Sequence, residues 1–181
     1  MKMTTLSGLL ITCFILVSLV ACGGGGGGGS ATPTPSPVQP TKAVITLSMT
    51  GSLPSGALVY TTQATLNLPT GVTVKASPSS ANPQVMVTDT GVVSASGQAA
   101  GAETVLASYL ASSTTASTSK VDLYMAKSGG FSVGEFAVVN CDIAAGHFPA
   151  ATDFTITNFK TFDSNGLTIS GLSAGLTATI Q

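Results

Sequence analysis

Arginine and tryptophan are absent from this chain of 181 residues, histidine occurs once and cysteine three times. Charged side chains make up only 7% of it, six lysines against seven acidic residues. Each shortage excludes something. A nucleic-acid surface needs clustered basic side chains, and a few dispersed lysines do not form one. Without arginine the planar fork that clamps phosphate and carboxylate is missing. A zinc site draws three or four ligands mostly from His and Cys, which His147 and so few cysteines are hard pressed to supply. Nothing in the sequence calls for a cofactor.

What the chain does have begins at its N-terminus. Lys2 is followed by an apolar run, Leu6–Val20, broken only by Ser7, Gly8, Thr12 and Ser18. This is the pattern of an export signal. The run is about fifteen residues, short of the roughly 20 a helix needs to cross a bilayer. Leu19, Val20, Ala21 and Cys22 then resemble the lipobox of bacterial lipoprotein signal peptides. The resemblance implies cleavage before Cys22 and lipidation of its thiol, with acyl chains that hold the protein to a membrane. Each buried methylene contributes about 0.8 kcal/mol, so two or three chains anchor stably where one does not. The expected location is the bacterial cell envelope, at the outer membrane or cell surface. Cys13 leaves with the signal in this reading, and Cys141 is left without an intramolecular partner, which excludes a disulfide framework.

A tether follows. Gly23–Gly29 and Ser30 form a flexible coil, and Ala31–Thr41 carries Pro33, Pro35, Pro37 and Pro40, which stiffen and extend it. Together they reach roughly 50 Å. A phosphate-cradling role for the glycines would need a strand before them and a helix after. The sequence divides into a signal over 1–21, a lipidated cysteine and linker over 22–42, and a domain over 43–181. About 140 residues are enough for one self-sufficient core. The exported part has five lysines against seven acids, a formal charge of −2.

From Ala43 onward the pattern is one of short strands between turns. Ile45, Leu47 and Met49 alternate with Val44, Thr46 and Ser48. In Leu58–Leu68 one parity holds Leu58, Tyr60, Ala64, Leu66 and Leu68, and the other holds Gln63, Thr65 and Asn67. Val72–Lys75, Val85–Val87 and Gly91–Ser94 are shorter candidates. Val121, Leu123 and Met125 alternate with Asp122 and Tyr124. Glu135–Ile143 places Ala137, Val139, Cys141 and Ile143 inside, with Asn140 and Asp142 outside, and makes Cys141 a buried small hydrophobe. Phe154–Phe162 follows. There Phe154, Phe159 and Phe162 do not share one parity, so at least one faces outward or sits at a bend. Asp163-Ser164-Asn165-Gly166 is a hairpin turn, because Asn-Gly supplies positive φ cheaply. Leu167–Ile169 and Leu176–Ile180 close the chain. Glu103–Leu110 fits a helical face through Val105, Leu106, Tyr109 and Leu110, and a strand through Val105, Ala107 and Tyr109. Ser112–Ser119 reads as a mobile loop. Short, regularly spaced strands of this kind predict an all-β sandwich or barrel.

Three stretches resemble cohesin-like domains. They are Leu58–Lys75, a long strand running into Leu-Pro-x-Gly-Val; Gly134–Ile143, an alternating run opened by glycine; and Asp163–Gly166, a polar turn between late strands. The resemblance implies an antiparallel sandwich of about nine strands with jelly-roll topology, related to cellulose-binding modules. It also implies binding rather than catalysis. The partner would be a protein, dockerin-like or other, and otherwise a polysaccharide.

Motifs with catalytic or metal potential are few. Gly171-Leu172-Ser173-Ala174-Gly175 matches the G-x-S-x-G nucleophile elbow, which needs a helix after the serine and an acid and histidine downstream. No Asp, Glu or His lies beyond Ser173, and a turn flanked by glycines is the simpler reading. Asp163 and Asn165 are the weak metal candidates, as early positions of a calcium loop. The later glutamate of an EF-hand is missing. Asp142 and Asp153 form a glycosidase-like pair only if the fold sets them about 5–10 Å apart. His147 reads as a loop residue. The ligand-binding residues are left open. Protein binding predicts a flat, exposed, weakly charged patch on one sheet face, and sugar binding predicts an aromatic row or a groove.

Overall fold

The computed structural model describes residues 38–113 and 118–181. The expected signal, the Leu19–Cys22 motif and the expected tether through Pro37 lie outside the described residues, as does the 114–117 part of the Ser112–Ser119 stretch. Eleven strands follow one another: β1 (Lys42–Gly51), β2 (Val59–Leu68), β3 (Val72–Thr73), β4 (Ala76–Pro78), β5 (Met86–Thr88), β6 (Val93–Ala95), β7 (Thr104–Leu110), β8 (Ser119–Phe131), β9 (Gly134–Ile143), β10 (Thr155–Phe162) and β11 (Leu172–Ile180). The only helical pieces among the described residues are single 3-10 turns at Gly97–Ala99 and Ala151–Asp153. No helix among those residues is long and apolar enough to cross a membrane.

The strands form two antiparallel sheets packed as a sandwich. One has five strands in the order β11-β1-β9-β3, with β6 also on β9; the other has six, β10-β2-β8-β7-β5-β4. Alternation along the long strands builds the core. Ile45, Leu47 and Met49 of β1, Leu66 and Leu68 of β2, Val121 and Met125 of β8, and Ala137 and Val139 of β9 are buried between the sheets. Serine, threonine and asparagine on the opposite parity meet solvent, which is the pattern a sheet buried on one face demands.

Among the described residues eleven strands stand where about nine were expected, because β3 to β6 are pieces of two or three residues each. The Leu167–Ile169 strand is reduced to one bridge, Phe162 to Thr168. Its position beside β10 is held by Ile169 N donating to Thr161 O at 2.9 Å and by Thr161 Oγ1 donating to Ile169 O at 3.2 Å. The stretch Glu103–Leu110 takes the strand reading over Thr104–Leu110: β8 pairs with it from Thr104↔Ala126 to Leu110↔Lys120, and Val105 and Tyr109 pack on the core. The ladder from β8 decides what periodicity left open.

Three bulges alter the simple parity. Between β2 and β8, Val59 faces Phe131 but Thr61 faces Ala126, so the extra residues, 127–130, lie on β8 opposite Tyr60; Val59 is buried while Leu58 is exposed and Tyr60 half-buried. In β9 the partner of Leu47 is Ala137 but that of Ser48 is Glu135, which leaves Phe136 unpaired on β1 and turned into the core at 1% exposure. In β10 Thr157 faces Thr65 and Lys160 faces Gln63, leaving one residue too many between them. Asn158 takes it up with φ 53°, and Phe159 turns in to meet the Phe136 ring at 6.2 Å. A bulge inserts one residue and re-aims its neighbours. Here two bulges on facing sheets bring two phenylalanines together.

The end of the tether is tied to the sandwich. Gln39 Nε2 donates to His147 O at 2.9 Å, and Gln39 Oε1 accepts from Gly146 N at 3.0 Å. Thr41 O accepts from Ile143 N at 2.9 Å.

Candidate functional site

The outer face of the six-stranded sheet is read most directly as rows across its registers. One row runs Leu106–Tyr124–Gln63–Lys160 through β7, β8, β2 and β10. The next runs Val87–Ser108–Asp122–Thr65–Thr157 and begins on β5. Leu106 is 59% exposed, and Val87 and Tyr124 are exposed beside it. These residues, with Asn158, line an open depression of about 480 Å³. Single exposed leucines are normal on a protein surface; adjacent exposed apolar side chains are informative.

One side of the depression is a fixed polar group. Thr65 Oγ1 donates to Asp122 Oδ1 at 2.6 Å and accepts from Asn158 Nδ2 at 3.3 Å. Thr65 is on the solvent parity of β2 yet only 5% exposed, because these two side chains cover it. The bulge in β10 is what places Asn158 there. The face therefore combines an apolar side, a rigid hydrogen-bonded side and little charge.

The residues singled out in the sequence fall elsewhere. Ser173 is an exposed residue within β11 opposite Thr50, so the Gly171–Gly175 motif is a strand entered from a turn at Gly171, φ 82°, and the reading of the whole motif as a turn is corrected. No helix follows it and His147 is on another loop. The His147 ring lies over Gly71, so close that a methyl group there would sit 2.1 Å from it. Cys141 is 2% exposed, and burial, helped by the Asp142 charge, pushes its thiol up to about 12. A thiol so held stays protonated at neutral pH and is a poor nucleophile. Asp142 forms an ion pair with Lys42 across the β1–β9 ladder, while Asp153 caps its own 3-10 turn by accepting from Ala150 N at 2.8 Å. Glu103 is likewise engaged: its carboxyl is held below the usual carboxylate range by the Ser128 hydroxyl and amide.

Asp163 organises its own turn. Its Oδ1 accepts from Asn165 N at 2.9 Å and Leu167 N at 2.8 Å. No group of three or more His, Cys, Asp or Glu suited to a metal occurs among the described residues. Asp163→Ala is expected to cost about 1 kcal/mol through the loss of two exposed turn hydrogen bonds, equally with and without calcium. Melts of the parent protein in EDTA and in millimolar calcium are expected to coincide. A calcium-dependent rise of several degrees, abolished by Asp163→Ala, would contradict this.

The sequence hid the patch in two ways. Leu106 lay in the segment open to two periodicities, and only the strand phase puts it outside. Asn158 was signalled indirectly, by the parity conflict among the phenylalanines. No protein-family model, no curated protein and no solved structure matches this chain.

Proposed function

We propose that this chain is a lipid-anchored, extracytoplasmic, non-catalytic binding module whose cohesin-like, jelly-roll sandwich takes a protein partner on the outer face of the six-stranded sheet. The observation that carries the reading is the cluster of Leu106, Tyr124 and Val87, exposed side by side on a sheet face whose other residues are mostly Thr, Ser, Gln and Asn. A core of apolar contacts inside a polar rim is how protein interfaces are built. Recognition of a glycan by stacking uses a row of aromatics, and this depression offers Tyr124 alone, which favours a protein. The topology reading is supported by the repeated crossings between sheets, from β1 to β2, β8 to β9, β9 to β10 and β10 to β11. The anchor rests on Leu19–Cys22 and the tether that follows it.

A photo-cross-linking residue in place of Leu106, in the full chain in its own envelope, is expected to yield a discrete protein adduct. Leu106→Asp is expected to weaken capture of that protein by 10- to 100-fold, the effect of losing about 1.5–3 kcal/mol of apolar burial. Adducts to polysaccharide alone, or capture indifferent to Leu106→Asp, would overturn the reading. The anchor has its own test. Cys22→Ser should release the chain from the membrane fraction and abolish acyl labelling; an uncut, membrane-bound Cys22→Ser chain would make the signal a spanning anchor instead.

A further inference from the structure

Among the described residues, every sheet edge but one is blunted by its own strand. An exposed edge strand carries unpaired amides and carbonyls that template pairing with another chain, and natural proteins blunt such edges. At one end of the six-stranded sheet β10 carries Lys160, the bulge at Asn158, and bonds to Ile169 and Thr168. At the other, β4 has three residues and ends on Pro78. In the five-stranded sheet β3 has two residues and β6 three. β11 is different. It has nine residues, Leu-Ser-Ala-Gly-Leu-Thr-Ala-Thr-Ile, with no charge and no proline, and pairs with β1 without a register break from Ala43↔Ile180 to Gly51↔Leu172.

The direction of its free hydrogen-bonding groups follows from that register. Lys42 and Gln181 exchange both backbone bonds, at 3.0 and 2.8 Å. Hydrogen-bonded pairs alternate along an antiparallel ladder. Thr179, Thr177, Gly175 and Ser173 therefore direct their amides at β1, and Leu172, Ala174, Leu176, Ala178 and Ile180 direct theirs at the open edge. β10 passes the same corner of the sandwich, but no backbone hydrogen bond joins it to β11 among the described residues.

We propose that the occupant of this edge is a second copy of the chain, its β11 paired antiparallel about a two-fold axis at Leu176. The strand is self-complementary in that register and in its phase. Leu172 meets the second copy's Ile180, Ser173 its Thr179, Ala174 its Ala178, Gly175 its Thr177, and Leu176 itself. Apolar opposes apolar, small opposes small and hydroxyl opposes hydroxyl. A two-fold axis always brings like regions together, and an uncharged strand lets it do so without repulsion. The register also makes Leu172, Ala174, Leu176, Ala178 and Ile180 the hydrogen-bonded pairs, the very residues whose amides point outward. The inward side chains Leu172, Leu176, Ala178 and Ile180 pack on the core but are only partly buried, so a second strand beside them extends that core. The dimer makes one continuous sheet of the two five-stranded ones and leaves the six-stranded sheet of each copy as a separate surface.

The test is a register-specific disulfide in the full chain, oxidised in its own membrane. Ser173 and Thr179 are exposed. Across the proposed axis they form a non-hydrogen-bonded pair with Cα atoms about 4.5 Å apart, within disulfide reach. Within one chain they are six residues, roughly 20 Å, apart. Ser173→Cys/Thr179→Cys is expected to give at least tenfold more disulfide-linked dimer than either single variant, because each single cysteine stands roughly 20 Å from its own copy across the axis. Adding Ala178→Pro removes an edge-facing amide and spares the ladder with β1; it is expected to abolish the dimer and keep the parent's melting transition. Adding Leu106→Asp is expected to leave the dimer intact, which separates this interface from the partner-binding face. No dimer from the double variant, equal dimer from the single variants, or a dimer that survives Ala178→Pro would overturn the proposal.

Discussion

Val139→Asp is expected to abolish the cooperative melting transition of the sandwich domain, while Val138→Asp lowers its midpoint by only a few degrees. Val139 is fully buried, set between Ile45 of β1 and Val93 of β6 in the five-stranded sheet. A carboxylate there has no cation within the core to pair with. Leaving a buried charge uncompensated costs several kcal/mol, comparable to the whole stability of about 5–15 kcal/mol expected of a domain. Val138 is one residue on, between Thr46 and Ser94 on the solvent face, and half-exposed. Its carboxylate keeps most of its hydration. Thermal melts followed by circular dichroism compare the two directly; equal midpoints would refute the parity of β9.

The second large effect is at Gly51. Gly51→Ala is expected to destabilise the domain by about 3 kcal/mol or more, and Gly56→Ala by only about 1 kcal/mol. Both glycines have positive φ, 121° and 74°. What separates them is the space for a side chain. A methyl group at Gly51 would sit 2.4 Å from the carbonyl oxygen of Gly171, whereas nothing lies within 4 Å of one at Gly56. The Gly171 carbonyl is backbone at the entrance to β11, where Gly51 pairs with Leu172, so relief would require moving a ladder. Urea unfolding of the two variants gives the comparison. Equal losses would mean that the close approach carries no energetic weight.

Much of the fold was legible in the residues. Period-two alternation in Val44–Met49, in Val121–Met125 and in Ala137–Ile143 identified strands, and in the last also the buried face, because a sheet covered on one side separates apolar from polar at every step. It failed where a strand gained a residue. Phe136 and Phe159 are out of phase with their own strands, and bulges defined by the pairing partner turn them inward. Thr65 has the outer parity and is buried by side chains from other strands. The candidate face was the least legible part. Its rows join Val87, Ser108, Asp122 and Thr65 from four strands, and no local pattern announces which strands will be neighbours.

The amino-acid order by itself determined the all-β class, the inward parity of Ala137–Ile143, the turn at Asp163–Gly166 and the burial of Cys141. Each of these depends on residues close together in the chain: alternation, an Asn-Gly pair, the apolar neighbours of one thiol. Only the tertiary structure decided that Thr104–Leu110 is a strand, that Ser173 belongs to an edge strand, that Leu106 and Tyr124 stand side by side, and that β11 is, among the described residues, a long edge strand without charge or proline. Those outcomes depend on which strand donates the next ladder of hydrogen bonds. That choice is made by packing between residues far apart in sequence, and by single-residue bulges that re-aim side chains after the local pattern has been set.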